Sequence, residues 1–179
     1  MTLLDLSFAS GETSLSVRRF AVKEAISALF EVTVTALSPR SDLGGASFVG
    51  RPAQLSASTA LATRVWSGLC RAMELDEIEE GGLSTYTLTI VPDLWALTQR
   101  RGHRIFQHAS IPEIAGRLLG EWQIEALWHV ERSAYPKLEQ RVQYGESDHA
   151  FLCRLLEEAG ISFTFEDHLE KGTHRRSRA

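Results

Sequence analysis

Phe30-Glu31-Val32-Thr33-Val34-Thr35-Ala36 is the stretch of sequence that decides the fold class. Apolar and polar residues alternate along it, so every second side chain of an extended chain points to the same side. The pattern predicts a β-strand whose four apolar residues face a core. A second strand of this kind is predicted from Leu83 to Val91, where Tyr86, Leu88 and Ile90 alternate with threonines. Such β-branched residues suit a pleated, half-buried surface.

Further strand patterns flank these two segments in the first half of the chain. They are Leu3 to Phe8, Leu15 to Val22, Pro52 to Ser58 and Thr63 to Glu79. Gly81-Gly82 is typical of a hairpin turn between the last of these and the strand that begins at Leu83. Several short strands separated by Gly and Pro turns predict an antiparallel barrel or sandwich.

The sequence pattern changes after Val91, because Pro92 cannot donate to a strand ladder and ends the strand. Asp93 to Gln99 predicts a short helix that packs Leu94, Trp95 and Leu97 inward. Ser110-Ile111-Pro112-Glu113 has the spacing of a capping box, with proline in the first turn where it is tolerated. This box predicts a helix that ends near Gly120.

A second helix is predicted from Ser147, and it carries one apolar face at helical spacing. The residues of that face are Phe151, Leu152, Leu155, Leu156 and Ala159. Gly160 is placed to end the helix in the left-handed conformation. Strands are predicted on either side, at Arg141 to Tyr144 and at Ile161 to Phe165, which gives a small unit of two helices against a few strands.

The predicted fold is therefore α+β, an antiparallel β-barrel-like domain followed by a small α/β unit. We place the barrel-like domain at residues 1–101 and the α/β unit at 102–167. Residues 168–179 are basic and polar, and we expect a disordered or aberrant tail there.

Composition excludes several functional classes. The 179 residues are 44% hydrophobic and carry a net charge of −4, which argues against a protein that wraps nucleic acid. The two cysteines, Cys70 and Cys153, are too far apart for a CxxC motif, so we expect neither a disulfide framework nor a zinc knuckle.

The N-terminus lacks a signal-peptide pattern, and no apolar run reaches the ~18 residues of a membrane span. We expect a chain made in the cytoplasm, with no membrane partner.

Four groups of residues could carry chemistry, and each has a simpler interpretation. His149 and Cys153 share a helix face and could form half of a metal site or a Cys–His pair, but we expect a small core cysteine and a surface histidine. His103 and His108 match no common metal spacing, and we expect polar residues at the ends of a strand. The acidic cluster of Glu77, Glu79 and Glu80 fits a solvated turn better than a pair of catalytic carboxylates. The basic run of Arg100, Arg101 and Arg104 could face a partner, line a channel or be solvated.

No glycine-rich phosphate loop and no GxSxG motif occurs, so we predict no catalytic, cofactor-binding or metal-binding residues. The four tryptophans are dispersed, which fits core packing or a subunit interface better than a platform for stacked bases.

Two long segments carry a resemblance to a known family. The first contains Trp95-Ala96-Leu97-Thr98-Gln99-Arg100, Arg104-Ile105-Phe106-Gln107 and Ser110-Ile111-Pro112-Glu113-Ile114. The second contains Gln143-Tyr144-Gly145-Glu146-Ser147-Asp148, Phe151, Arg154-Leu155-Leu156-Glu157 and Gly160-Ile161. In this order they resemble the Vgr spike proteins of type VI secretion (VgrG, the Rhs element Vgr proteins), which share their hub with phage late control D proteins. Leu29-Phe30-Glu31-Val32 and Phe48-Val49-Gly50-Arg51-Pro52 extend the similarity upstream.

The resemblance implies a baseplate hub, a structural part of a spike rather than an enzyme. Members of this family form homotrimers, dock on a hexameric tube protein, contact baseplate proteins and deliver effector cargo. It also implies export through the type VI machine without a signal peptide. The hub protein of a contractile phage tail is the alternative, and a small enzyme that uses Cys153 and His149 is a remote one.

The resemblance also implies structural roles for its motif residues. We expect Ser147 and Asp148 to cap the second helix, and Glu146 or Asp148 to pair with Arg104 or Arg154. The full set of motif residues is Trp95, Arg104, Phe106, Gln107, Ser110, Glu113, Gln143, Tyr144, Glu146, Ser147, Asp148, Phe151, Arg154, Leu155 and Gly160.

The chain departs from the family pattern after Phe165. A second hub barrel, an OB-like domain and a β-helical needle would follow there, and the sequence shows none of them. We therefore expect a truncated hub that does not trimerise by itself.

Overall fold

The computed structural model describes residues 3–78 and 81–166. These residues divide into two compact units. The first contains residues 3–24, 29–78 and 81–92, and the second contains residues 25–28 and 93–166. The division therefore falls at residues 92 and 93, nine residues before the predicted boundary at 101. Residues 168–179, where we expect a disordered or aberrant tail, lie outside the described residues.

The first unit is a six-stranded antiparallel sheet, and every strand predicted for this part of the chain is confirmed. The six strands are β1 Leu3–Phe8, β2 Ser16–Lys23, β3 Glu31–Ser38, β4 Pro52–Ser58, β5 Thr63–Ile78 and β6 Ser84–Val91. They follow the spatial order β1-β4-β5-β6-β3-β2. The sheet is curled, so the edge strands β1 and β2 approach each other.

The core of the first unit is built by the alternation seen in the sequence. Val32, Val34 and Ala36 of β3 are fully buried, and Leu88 and Ile90 of β6 lie on the same side. β3 and β6 are direct neighbours, so these residues pack across the strand pair. The predicted inward face of both strands is therefore confirmed.

Gly68 marks a close approach between β5 and the end of β6. A Cβ atom on this residue would lie 2.0 Å from the carbonyl oxygen of Val91 and 2.9 Å from the Cα of Pro92. No side chain fits there without moving the backbone, so the position requires glycine.

The second unit combines a two-stranded antiparallel sheet with two helices. A 3-10 turn spans Asp93–Thr98, where Leu94 and Leu97 are buried as predicted and Trp95 is half-buried. The remaining elements are β7 Arg101–Ala109, α1 Ile111–Glu121, β8 Leu138–Ser147 and α2 Asp148–Glu158. His103 and His108 lie within β7, near the ends of the strand expected between them, and β8 is longer than the predicted strand at Arg141 to Tyr144.

Both predicted helix caps are present. The Ser110 hydroxyl accepts from the Glu113 amide at 3.4 Å, and the Glu113 carboxylate accepts from the Ser110 amide at 2.8 Å, which completes the capping box. The Ser147 hydroxyl accepts from the Ala150 amide at 3.1 Å. Gly160 has φ +67°, as its predicted role in ending α2 requires.

The predicted strand from Ile161 to Phe165 is wrong. The segment alternates in burial, but within the described residues it has no neighbouring ladder, and a single bridge occurs at Glu166. The Ile161 amide turns back to the Leu156 carbonyl at 2.8 Å, and the Phe163 carbonyl accepts from the Ser27 amide at 2.9 Å. The apolar side chains therefore pack, but the backbone does not join a sheet.

Candidate structural site, a buried carboxylate network

Asp148, the first residue of α2, lies at the centre of the second unit, and its side chain is 1% exposed. Its carboxylate accepts from Arg100 Nε at 2.7 Å, from Trp122 Nε1 at 2.9 Å and from Gln143 Nε2 at 2.9 Å. It also accepts a short hydrogen bond from the Arg104 guanidinium. One carboxylate thus collects donors from the start of β7, the end of α1 and β8.

Glu121, the last residue of α1, completes the network. It accepts from Arg104 at 2.9 Å and makes a short ion pair with Arg100. Two guanidinium groups therefore face two carboxylates, and the formal charges cancel. Charge-assisted hydrogen bonds of this kind are stronger than neutral ones, and their partner geometry is well defined.

Gln143 connects the charged groups to the backbone. It is fully buried, its Oε1 accepts from Arg104 Nε at 2.8 Å, and its Nε2 also donates to the Glu146 carbonyl at 3.0 Å. The Asp148 amide donates to the Arg100 carbonyl at 3.0 Å. Every polar group of the Gln143 amide is therefore satisfied inside the unit.

Burial and pairing act in opposite directions on Asp148. Burial alone raises the pKa of a carboxyl group, but the hydrogen bonds from Gln143, Trp122 and Arg100 and the charge of Arg104 outweigh it. The pKa of Asp148 is consequently lowered from its ordinary value, and the group is ionised at neutral pH. The network therefore holds a charged carboxylate out of water.

A second ion-pair group joins β8 to α2. Arg154 pairs with Glu146 at 2.6 Å, reaches Glu158 at 3.3 Å and donates to the Val142 carbonyl at 3.1 Å. Arg141 also pairs with Glu158 at 3.1 Å. The expected pairing of Arg104 and Arg154 with Glu146 and Asp148 is thus present, as Arg104–Asp148 and Arg154–Glu146.

Aromatic rings form the layer beneath these charges. Phe106 of β7 and Phe151 of α2 stack with centroids 5.6 Å apart. Arg104 lies over Phe106 at 5.7 Å and Arg154 over Phe151 at 5.2 Å, both within cation–π range. The rings therefore hold the two arginines in place from below.

The other motif residues fall into two groups. Leu155 is fully buried, and the Trp95 carbonyl accepts from the Thr98 hydroxyl at 2.7 Å. Gln107 is exposed on β7, and Tyr144 is 79% exposed on β8, where its ring meets His103 edge-on at 4.9 Å. These last two motif residues contribute to the surface rather than to the network.

The candidate catalytic groups are not brought together. The acidic residue Glu77 is exposed, while Glu79 and Glu80 lie outside the described residues. His103 contacts Tyr144, and His108 takes a left-handed φ of 51° at the end of β7. Across residues 3–78 and 81–166 no group of three or more His, Cys, Asp or Glu side chains could hold a metal ion.

His149 and Cys153 do meet, and Cys153 Sγ lies 3.5 Å from His149 Nε2. Both side chains are half-buried. Burial, helped by the nearby charge of Glu157, raises the pKa of the Cys153 thiol, and burial lowers the pKa of His149. These are the opposite of the shifts that would create a thiolate–imidazolium pair, so the arrangement does not activate a nucleophile.

Sequence reasoning missed part of the network. It identified Arg104, Gln143 and Asp148, and it noted Arg100 only as part of a basic run. Glu121 and Trp122 carried no signal of their own, because a glutamate and a tryptophan at the end of a helix usually need no special role. Their position opposite Arg100 and Arg104 is visible only in the folded unit.

A curled antiparallel sheet followed by an α/β unit locked by internal ion pairs defines a scaffold of the baseplate hub class. The family model for the phage tail baseplate hub (GPD) matches residues 23–176, and the chain belongs to this family.

Two relatives show which kinds of protein share this segment. The chain is 35% identical over 171 residues to the type VI secretion system spike protein VgrG4b of Pseudomonas aeruginosa, covering 94% of the chain and 21% of that protein. It is 33% identical over 165 residues to the actin cross-linking toxin VgrG1 of Vibrio cholerae, covering 91% of the chain and 15% of that protein. The chain thus spans about a fifth or less of the length of these relatives.

Solved structures show the same fold. The E. coli c3393 protein, described as a component of the type VI secretion system with structural similarity to the T4 tail proteins gp27 and gp5, aligns with a TM-score of 0.81 and 25% identity. That alignment covers 92% of the chain and 45% of the solved chain. In the part of the chain that the structure describes, no helix is both long and apolar enough to span a membrane.

Proposed function

We propose that the chain is a hub segment of a type VI secretion spike, a structural part that positions neighbouring subunits and performs no chemistry. The observation that carries this proposal is that the charged and polar motif residues contact one another. Arg104, Gln143, Glu146, Asp148 and Arg154 are engaged in contacts within the second unit. These contacts stabilise the shape of the second unit.

The relatives support the assignment to type VI secretion. Proteins named as spike proteins and one named as a toxin share this segment, although the segment covers only a small part of each. A segment shared by spike proteins and by a toxin is expected to serve an assembly role common to them all, and not the toxin activity. We therefore assign the non-enzymatic hub role to this segment.

The partners follow from the hub role. A homotrimer, a hexameric tube protein, baseplate proteins and effector cargo are the partners we propose for the assembled spike. The outer face of β7 and β8 supports subunit packing, because Ile105 is 65% exposed and Tyr144 is 79% exposed. Exposed apolar side chains on one face are typical of surfaces that another subunit covers. Export through the assembled machine belongs to the same proposal.

Deletion of the gene, followed by complementation, tests this proposal. Deletion of the gene should abolish release of the tube protein into the medium and killing of competing cells, and the intact gene supplied in trans should restore both. A deletion strain that still releases the tube protein at the normal level would contradict the proposal. Loss of phage-like particles from an induced culture, with tube protein release unchanged, would instead support a phage-tail hub.

A biochemical test addresses the partner directly. The chain is mixed with the hexameric tube protein of the same genome and examined by native mass spectrometry. The chain is tested as part of a longer polypeptide that also carries the remaining spike domains. Three copies of that polypeptide are expected for each hexamer. Absence of any tube complex for that longer polypeptide, while both proteins are folded by circular dichroism, would overturn the proposed docking.

A further inference from the structure

β5 extends well beyond the strand that pairs with it on one side. β4 pairs with residues 63–69 of β5, whereas β6 follows β5 to its end. Cys70 makes two further backbone hydrogen bonds to the chain just before β4, and the turn at Gly45 lies beside Met73. No strand among the described residues pairs with the free side of residues 74–78, which we call the β5 edge. Unpaired backbone groups of this kind can pair with a strand from another chain.

One face of the β5 edge is apolar. Leu75 lies opposite Tyr86 and Ile78 lies opposite Ser84, and both of these β6 residues are buried. Residues directly opposite each other in an antiparallel pair have their side chains on the same face, so Leu75 and Ile78 stand on the core side of the sheet. They are nevertheless 43% and 60% exposed, because no further strand adjoins them there. An added strand would cover both side chains.

The other face of the β5 edge is acidic. Glu74 and Glu77 lie opposite threonines of β6, on the outer side of the sheet. Asp76 is the extra residue of a β-bulge, and its carboxylate accepts from the Thr87 hydroxyl at 2.7 Å, which places it on the same side. All three carboxylates are exposed, and residues 74–78 contain no Lys or Arg. The edge therefore presents a row of negative charge beside its unpaired backbone.

These two faces determine which strand can extend the sheet. A second copy of the β5 edge would bring carboxylates next to carboxylates, and like charges on adjacent strands destabilise pairing. A strand that alternates apolar and basic residues would cover Leu75 and Ile78 on one face and place cations beside the carboxylates on the other. We propose that the β5 edge binds such an extended strand of a neighbouring subunit. The proposal rests on the hub role only for the source of the strand.

A labelled eight-residue peptide that alternates valine and lysine tests the β5 edge by fluorescence anisotropy. The full chain should bind one peptide, and amide hydrogen exchange should slow at residues 74–78 when it binds. A peptide with four valines followed by four lysines has the same composition and charge, but it cannot present one face of each kind. It should bind at least about tenfold more weakly. A peptide that alternates valine and glutamate should not bind.

Charge reversal in the chain gives the complementary test. Glu74→Lys combined with Glu77→Lys should weaken binding of the alternating valine–lysine peptide at least about tenfold and should allow the valine–glutamate peptide to bind. Glu139→Lys is the matched control, because Glu139 is an exposed glutamate on β8, and it should leave both results unchanged. Ile78→Ser keeps every charge and should also weaken binding, since it removes apolar contact. Circular dichroism checks that each variant is folded.

Three results would overturn the proposal. They are unchanged hydrogen exchange at residues 74–78, equal affinity for the two valine–lysine peptides, and unchanged affinity in the charge-reversed chain. If the charge-reversed chain does not fold, the two peptides on the native chain still decide the question. Peptide binding does not depend on release of the tube protein by cells, so failure of the β5 edge and failure of the hub role are distinguished.

Discussion

The indole nitrogen of Trp122 donates a 2.9 Å hydrogen bond to the carboxylate of Asp148, although 26 residues separate them in the chain. This bond joins the residue that follows α1 to the residue that begins α2. Arg100 and Arg104 donate to the same carboxylate, so Asp148 joins α1, β7 and α2 through one side chain.

Replacing Asp148 with Ala should lower the free energy of unfolding by about 3 kcal/mol. The change removes the acceptor that Arg100, Arg104, Trp122 and Gln143 share, and Gln143 is fully buried. Urea unfolding followed by circular dichroism measures the change. Glu121→Gln is the control, because its carboxylate is 41% exposed and its removal should cost about 1 kcal/mol or less. Equal losses in the two variants would contradict the central role of Asp148.

Stability should fall in acid, in part through Asp148. Because its pKa is lower in the folded chain than in the unfolded chain, its contribution is complete above the unfolded value and is lost as the pH falls through the folded value. Urea unfolding from about pH 5 to about pH 3 should therefore show a steeper loss for the native chain than for Asp148→Asn. Parallel profiles for the two proteins would exclude Asp148 as a source of acid sensitivity.

Replacing Ser147 with Ala should cost about 1 kcal/mol, because the Ala150 amide loses its capping acceptor. Ser147→Asn is the matched variant, since asparagine caps helices about as well as serine. Chemical unfolding of both variants gives the comparison. An unchanged midpoint in Ser147→Ala would show that this cap contributes nothing to stability.

Replacing Gly68 with Ala should destabilise the first unit by at least about 2 kcal/mol. The added methyl group would overlap the Val91 carbonyl at 2.0 Å, so β5 or the chain beyond β6 must shift. Gly44→Ala is the control, since it has nothing within 4 Å of an added Cβ and a φ of −74°. Similar unfolding midpoints for the two variants would refute the steric argument.

Local patterns explain why much of the fold could be predicted. The alternation in β3 and β6 directly reflects one buried face, and the caps at Ser110 and Ser147 involve residues only three positions apart. β7 could be predicted only in part, from the histidines near its ends, because its inward position Arg104 is charged and breaks the apolar alternation. That arginine is paired with Asp148, Gln143 and Glu121, and these partners come from distant parts of the chain.

The candidate site could also be predicted only in part. The pairing of Arg104 and Arg154 with acidic residues was predicted from motif chemistry, but the contributions of Glu121 and Trp122 depend on how α1 docks. The strand predicted from Ile161 to Phe165 was wrong for a different reason. Its apolar alternation was real, but a strand also needs a neighbouring strand for its backbone hydrogen bonds. Sequence periodicity reports burial, and it does not report which backbone groups pair.

The position of Asp148 late in the chain has a consequence for biogenesis. Arg100, Arg104 and Trp122 leave the ribosome well before Asp148, the acceptor that they share, so these donors stay hydrated until α2 emerges. Closure of the second unit should then occur in one late, concerted step, and a nascent chain that stalls before residue 148 would expose an open hairpin to chaperones and proteases.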